Sequence, residues 1–180
     1  MAGRLEECNL ALFFSRGVSL RVWSETGLLS RELALYNELA SRLERVLFVT
    51  HGGPDDGSFL PPEAVKIEVL SSRSEVFRKV VRRWPALLSI PHIASLKNAD
   101  LLKTNQLNAA RAALTAGQIL RKPVWVRCGY LPSYMAEQGG QPATRIQESR
   151  SMERRAFTRA TICSVPTEFI RSLVLEHYGI

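Results

Sequence analysis

The chain has 180 residues, 46% of them hydrophobic, and a formal net charge of +7. That length suits one α/β domain with a single sizeable core, and that composition excludes a disordered chain. No uninterrupted apolar run approaches the ~20 residues that span a bilayer, and the N-terminal Met1-Ala2-Gly3-Arg4-Leu5-Glu6-Glu7 lacks the charged-then-apolar layout of a signal peptide.

Taken in chain order, apolar runs, turns and amphipathic stretches alternate. Residues 9–14 form a short apolar run ending at Ser15-Arg16-Gly17, which reads as a buried first strand. A polar loop is expected to Gly27. Residues 28–43 place Leu29, Leu33, Tyr36, Ala40 and Leu43 at spacings of three and four, a helical face. A second strand follows at 45–50, then a loop through His51-Gly52-Gly53-Pro54-Asp55-Asp56-Gly57, then a third strand at 64–70. Residues 74–97 look helical but are interrupted by Pro85 and Pro91, so two or three short pieces are expected.

The second half repeats the pattern. Residues 101–104 read as a fourth strand and 106–120 as an alanine-rich helix able to pack closely on a sheet. A fifth strand is expected at 123–127, followed by a loop over 128–141 and a helix from Pro142 to about residue 159. Residues 161–164 are a sixth strand, and Pro166 opens a last helix that stops near Gly179. Strands alternating with helices imply a parallel sheet covered on both faces. Trp84 and Trp125 read as core or interface aromatics, whereas Trp23 falls in the first loop and is harder to place in a core.

The positive charge is clustered. Residues 73–84 set Arg73, Arg78, Lys79, Arg82 and Arg83 against Glu75, and residues 145–159 set Arg145, Arg150, Arg154, Arg155 and Arg159 against Glu148 and Glu153. These segments together hold the whole excess. They are either solvated helix faces or surfaces that attract phosphates on a nucleotide, a nucleic acid or a membrane. In the first segment Val76, Phe77, Val80, Val81 and Trp84 alternate with the basic residues, giving a stripe for the core or for an anionic lipid surface. Cys8, Cys128 and Cys163 are far apart with no CxxC pair, which argues against a disulfide framework or zinc site and favours a reducing, cytoplasmic setting.

An open parallel sheet binds ligands at the carboxyl ends of its strands. Here those ends carry Arg16-Gly17-Val18-Ser19, His51-Gly52-Gly53, Lys103-Thr104-Asn105-Gln106 and Arg127-Cys128-Gly129-Tyr130, a composition suited to a hydroxylated or phosphorylated ligand. Gly17 either permits a turn or lets backbone N–H groups approach a ligand. Asn105 alone is explained as a helix cap, and Arg127 needs either a carboxylate partner or an open cleft. There is no GxGxxG, Walker, GxSxG or HExxH motif, and His51, His92 and His177 share no motif spacing.

The order of these segments resembles the N-terminal domain of family 4 retaining glycosyltransferases. The likeness lies in Arg16-Gly17-Val18-Ser19-Leu20 with Gly27 to Tyr36, in Asn98-Ala99-Asp100 through Gln106, in Arg121 to Tyr130, and in residues 160–179. It implies a GT-B fold, two Rossmann-like domains facing across a cleft, of which residues 1–180 would be the acceptor-side half. It further implies a nucleotide-sugar as co-substrate, no metal, a hydroxylated acceptor, and a C-terminal nucleotide-sugar domain not contained in these residues, without which the chain would be inactive. By this resemblance Gly17 and Ser19 approach the donor, while Lys103, Asn105, Gln106, Arg127 and Tyr130 line the acceptor side. Many family members carry a histidine in the loop after the central strand. Here the stretch reads Arg127-Cys128-Gly129-Tyr130, so that role does not transfer, and a thiol is a weaker hydrogen-bond donor. Two other classes remain as readings: a non-catalytic Rossmann-like module for a phosphorylated ligand or partner protein, and a nucleic-acid binder suggested by a pI near 9.8. The second is disfavoured because the basic segments contain no recognition motif.

Overall fold

The computed structural model describes residues 5–72 and 74–180. Residues 1–4 of the N-terminal stretch and Arg73 of the first basic segment lie outside the described residues.

Six strands, β1 (Asn9–Phe13), β2 (Arg45–Val49), β3 (Ile67–Leu70), β4 (Leu101–Thr104), β5 (Val124–Arg127) and β6 (Ile162–Ser164), form one sheet in the order β3-β2-β1-β4-β5-β6. Every pairing is parallel, with Phe13 beside both Val49 and Thr104. β1 is buried along its whole length, as a central strand covered on both faces must be. The helices are α1 (Leu20–Glu25), α2 (Leu29–Arg42), α3 (Glu75–Arg83), α4 (Ile93–Leu96), α5 (Ala110–Leu120), α6 (Pro132–Gln138), α7 (Ala143–Arg159) and α8 (Glu168–Tyr178). The arrangement is the Rossmann-like α/β sheet that the alternating pattern implies.

Alternation of side chains along the strands divides the interior into two cores. Leu10, Leu12, Phe14, Val46 and Phe48 pack with α1 and α2 on one face. Ala11, Phe13, Leu47, Val49, Leu102 and Val126 pack with α3, α5, α7 and α8 on the other. Ala112, Ala113 and Ala116 of α5 are fully or almost fully buried, since small side chains let this helix lie close to the sheet.

Several expectations are corrected. The loop to Gly27 contains α1, capped by Ser19, and Trp23 is a core residue whose ring lies 4.2 Å from that of Phe14 and edge-on to that of Phe48 at 6.2 Å. The loop over 128–141 contains α6, with Pro132 in its first turn. Pro142 precedes α7 as its cap, and Thr167 rather than Pro166 caps α8. The prolines do interrupt 74–97: α3 gives way to a 3-10 segment, Pro85–His92, before α4. The apolar stripe of α3 is split. Val81 is buried and Phe77 packs against the core, whereas Val76 and Trp84 are 72% and 61% exposed.

The second basic segment is not uniformly solvated. Glu153 is fully buried in α7 and accepts hydrogen bonds from the Ser133 backbone N–H and hydroxyl, each at 2.6 Å, and from the Tyr178 hydroxyl. One carboxylate therefore fastens α6, α7 and α8 together. Burial, and then the bond to Glu153, push the Tyr178 phenol well above its usual range. Glu153→Ala strands three buried donors without an acceptor and is expected to cost about 3 kcal/mol, read as a lower urea midpoint at unchanged slope.

Candidate functional site

The strand order reverses between β1 and β4, and a parallel sheet opens its ligand crevice at the carboxyl ends of such a pair. The loops that leave β1 and β4 flank this point, tied together by the Asn105 N–H donating to the Phe13 carbonyl at 2.8 Å. Each loop holds a polar atom with no partner. Ser15 Oγ and Asn105 Oδ1 are buried and make no hydrogen bond among the described residues. Buried polar atoms are rarely left so in a rigid core, which marks the switch point as a place where an external group can complete the bonding.

On the β1 side, Gly17 has φ +78 and open space where a side chain would stand, so the turn itself calls for glycine. Ser19 is buried and its hydroxyl accepts from the Val22 N–H at 3.2 Å, capping α1. That bond leaves the hydroxyl proton and one lone pair of the residue assigned to the donor side from sequence. Sequence reading missed Asp56. Its carboxylate, 1% exposed, accepts from the Leu20 and Arg21 N–H groups at 3.3 and 3.1 Å and from the Thr50 hydroxyl. It thereby pins the loop after β2 to the positive end of α1. Gly52 fits beneath it because a Cβ there would stand only 2.2 Å from the Asp56 carboxyl carbon. Two successive acids in a glycine-rich loop were the available signal. His51, on the same loop, is held well below the usual imidazole range, to about 4, by burial and then by Arg16, and so is neutral at pH 7.

The β4–β5 side gathers the remaining candidates. Thr104 accepts the Arg127 N–H at 3.0 Å, and the Arg127 guanidinium reaches the Asn105 carbonyl at 3.3 Å. Arg127 is exposed and makes no ion pair among the described residues. Gln106 shapes the loop after β5, its Oε1 accepting the Gly129 N–H at 3.0 Å. Cys128 is buried and donates to the Tyr130 carbonyl at 3.1 Å, and burial, then Glu153, raises its thiol to about 12. It is a protonated structural thiol, and the neighbouring Tyr130 ring is half-exposed.

Lys103 sits deeper than its position at a strand end suggests. It is 5% exposed, its ammonium 3.2 Å from the Tyr36 hydroxyl and about equally placed over two rings, 5.5 Å from the centre of Tyr36 and 5.2 Å from that of Trp125. Strand alternation turns it to the α2 face, where aromatic π-faces replace a carboxylate partner. The structure thus brings Asn105 and Arg127 together at the crevice, with Tyr130 on the loop that follows, and places Lys103 beneath them.

The sequence matches no family model and no curated protein. Among solved structures it is similar to the HepE protein of Anabaena in complex with UDP-glucose, with 16% identity and a TM-score of 0.47 over 95% of this chain and 49% of that one. The same protein in complex with UDP and glucose gives 16% identity and 0.48 over 96% and 50%. This chain spans about half the length of those structures. Similarity of that degree does not extend to a ligand.

The buried ammonium yields a pH-dependent expectation. Burial first, then Arg127, lower the Lys103 amine from 10.5 to about 8, with Glu32 opposing. A base whose folded value is depressed destabilises the fold fully below that value, and the cost fades as pH rises from about 8 to 10.5, where the unfolded chain also loses its proton. Lys103→Met should raise stability at pH 7 by about 1–2 kcal/mol after the lost ring contacts are counted. The gain should shrink by pH 10, as measured by urea denaturation at both pH values. A loss of stability at pH 7 would refute this account of the site.

Proposed function

We propose that this domain is the acceptor-side wall of a two-domain, GT-B-type retaining glycosyltransferase of the family 4 kind, working with a second domain that holds the nucleotide-sugar. The observation that carries the reading is the pairing at the switch point of an exposed, carboxylate-free Arg127 with Asn105, whose Oδ1 is buried and unbonded. The ordered family-like segments along the sequence support it independently.

In this reading the domain positions an acceptor hydroxyl and excludes alternatives, a contribution of orientation rather than of a nucleophile. Arg127 meets a phosphate or carboxylate of the acceptor, or the negative charge that develops on the leaving diphosphate. Asn105 and Tyr130 complete the polar wall. Gly17 keeps the first loop free of a side chain where the donor would approach. Lys103 acts beneath the wall, adding positive potential without touching ligand. No metal enters this scheme, and the nucleotide-sugar is a co-substrate. The 180-residue chain alone is expected to show no turnover with nucleotide-sugars. In the protein carrying both domains, Arg127→Ala should lower kcat/KM about tenfold or more, near 1.4 kcal/mol, while moving the stability of this domain by no more than ~0.5 kcal/mol. Unchanged kcat/KM, or turnover by this domain alone, would overturn the reading.

The reading includes a peripheral contact with an anionic membrane. Val76, Val80 and Trp84 recur every four residues on the exposed side of α3, flanked by the exposed Lys79, Arg82 and Arg83. An apolar strip rimmed by cations suits an anionic lipid interface. Among the described residues no helix is long and apolar enough to cross a membrane. Co-sedimentation should show binding to vesicles with phosphatidylglycerol and little to phosphatidylcholine alone, reduced by Trp84→Ser and by Arg83→Gln. Equal binding to both vesicles, or to neither, would remove this contact.

A further inference from the structure

Beside α3, a half-open cavity of about 340 Å³ lies against the loops that follow β1, β2 and β3. Gly17, His51 and Ser72 form the wall from the sheet, and Arg78, Lys79 and Arg82 form the wall from the helix, over an apolar floor of Val81 and Leu88. One acid also lines it: Glu75, which stands 3.9 Å from Lys79 one turn along α3. The cavity therefore keeps an excess of positive charge, and the half-buried His51 adds none, being neutral at pH 7.

The arginine nearest the sheet is unusual. Arg78 Nε is buried and has no hydrogen-bond partner, and Arg78 makes no ion pair among the described residues. Its guanidinium lies against the loop after β2, where a Cβ on Gly53 would stand 3.1 Å from Nη1. A planar fork of donors without an acceptor among the described residues, lining this cavity, matches the oxygens of a phosphate, which take two parallel N–H bonds from one guanidinium. Arg82 and Lys79 add charge on the same helix face, and the volume exceeds what a bare phosphate fills, leaving room for a small polar group that carries it.

We propose that this cavity binds the phosphate of a phosphorylated ligand, gripped by Arg78 and neutralised by Arg82 and Lys79. The site shares Gly17 with the donor side of the glycosyltransferase reading but none of its β4–β5 residues, and phosphate binding is measured without transfer, so it stands or falls apart from that reading. The phosphate is that of a free phosphoester or of a lipid headgroup, and α3 offers a path to either. The test titrates the purified 180-residue chain with inorganic phosphate and follows tryptophan fluorescence or calorimetric heat. Saturable binding is expected, weakened at least tenfold in Arg78→Gln and also in Arg82→Gln, and unchanged in Arg155→Gln on the exposed side of α7. Equal melting temperatures would show that the variants fold. A second arm compares glycerol 3-phosphate with a short-chain soluble phosphatidate. Tighter binding of the phosphatidate assigns the lipid source, and equal binding assigns the free phosphoester. Absence of saturable phosphate binding, or an equal loss in Arg155→Gln, would overturn the proposal.

Discussion

The carboxylate of Asp56 is the fastening on which the ligand edge depends. A parallel sheet with this strand order must place its crevice where β1 and β4 diverge, but the loops bordering that crevice have no regular ladder to hold them. Asp56 supplies the missing order by accepting two N–H groups at the start of α1 and the hydroxyl of Thr50 at the end of β2. The first bonds set where α1 begins and so where Ser15, Gly17 and Ser19 lie. The last sets the course of His51 and Gly53, and with them the wall facing α3. A carboxylate buried without a basic partner is tolerable here because helix N–H groups and a hydroxyl replace its water shell.

From that fastening the edge divides in two. Over β4 and β5, hydrogen bonds among Thr104, Asn105, Gln106, Arg127 and Gly129 tie the two loops to each other, leaving the Arg127 guanidinium exposed and Asn105 Oδ1 without a partner. Over β1 to β3, basic residues of α3 line a half-open cavity. The sectors share the positive field that the chain's net charge implies, yet they hold it differently. Lys103 is desolvated among rings, which favours loss of its charge, whereas Lys79, Arg82 and Arg83 of α3 are exposed to solvent. Potential from a buried cation is less screened than that from exposed ones.

The basic segments show how far linear charge counting reaches. Residues 145–159 look like a solvated face with two compensating acids, but Glu153 is the hub joining three helices and compensates no surface arginine. Likewise Val76 to Trp84 repeat as one stripe in sequence, and the helix rotates half of it into the core and half into solvent. In both cases the residue types were visible and their partners were not.

Hydrophobic runs punctuated by turns were enough to settle six parallel strands, most of the helices and the edge that bears polar residues, because buried strands and amphipathic faces depend on local periodicity. The same local signals located Gly17, Lys103, Asn105, Gln106, Arg127 and Tyr130 at strand ends. They could not reveal α1 or α6, short helices whose stability comes from tertiary contacts, nor that Trp23 packs against Phe14 and Phe48 in the core. Only the tertiary structure decided that Ser19 and Gln106 hold the backbone, that Lys103 is buried while Arg127 is exposed beside Asn105, and that Asp56 joins two loops. The Ser19 cap is local, but the other roles depend on which atoms meet across 20 to 70 residues of chain, and a hydrogen bond formed over that distance leaves no periodic trace in the sequence.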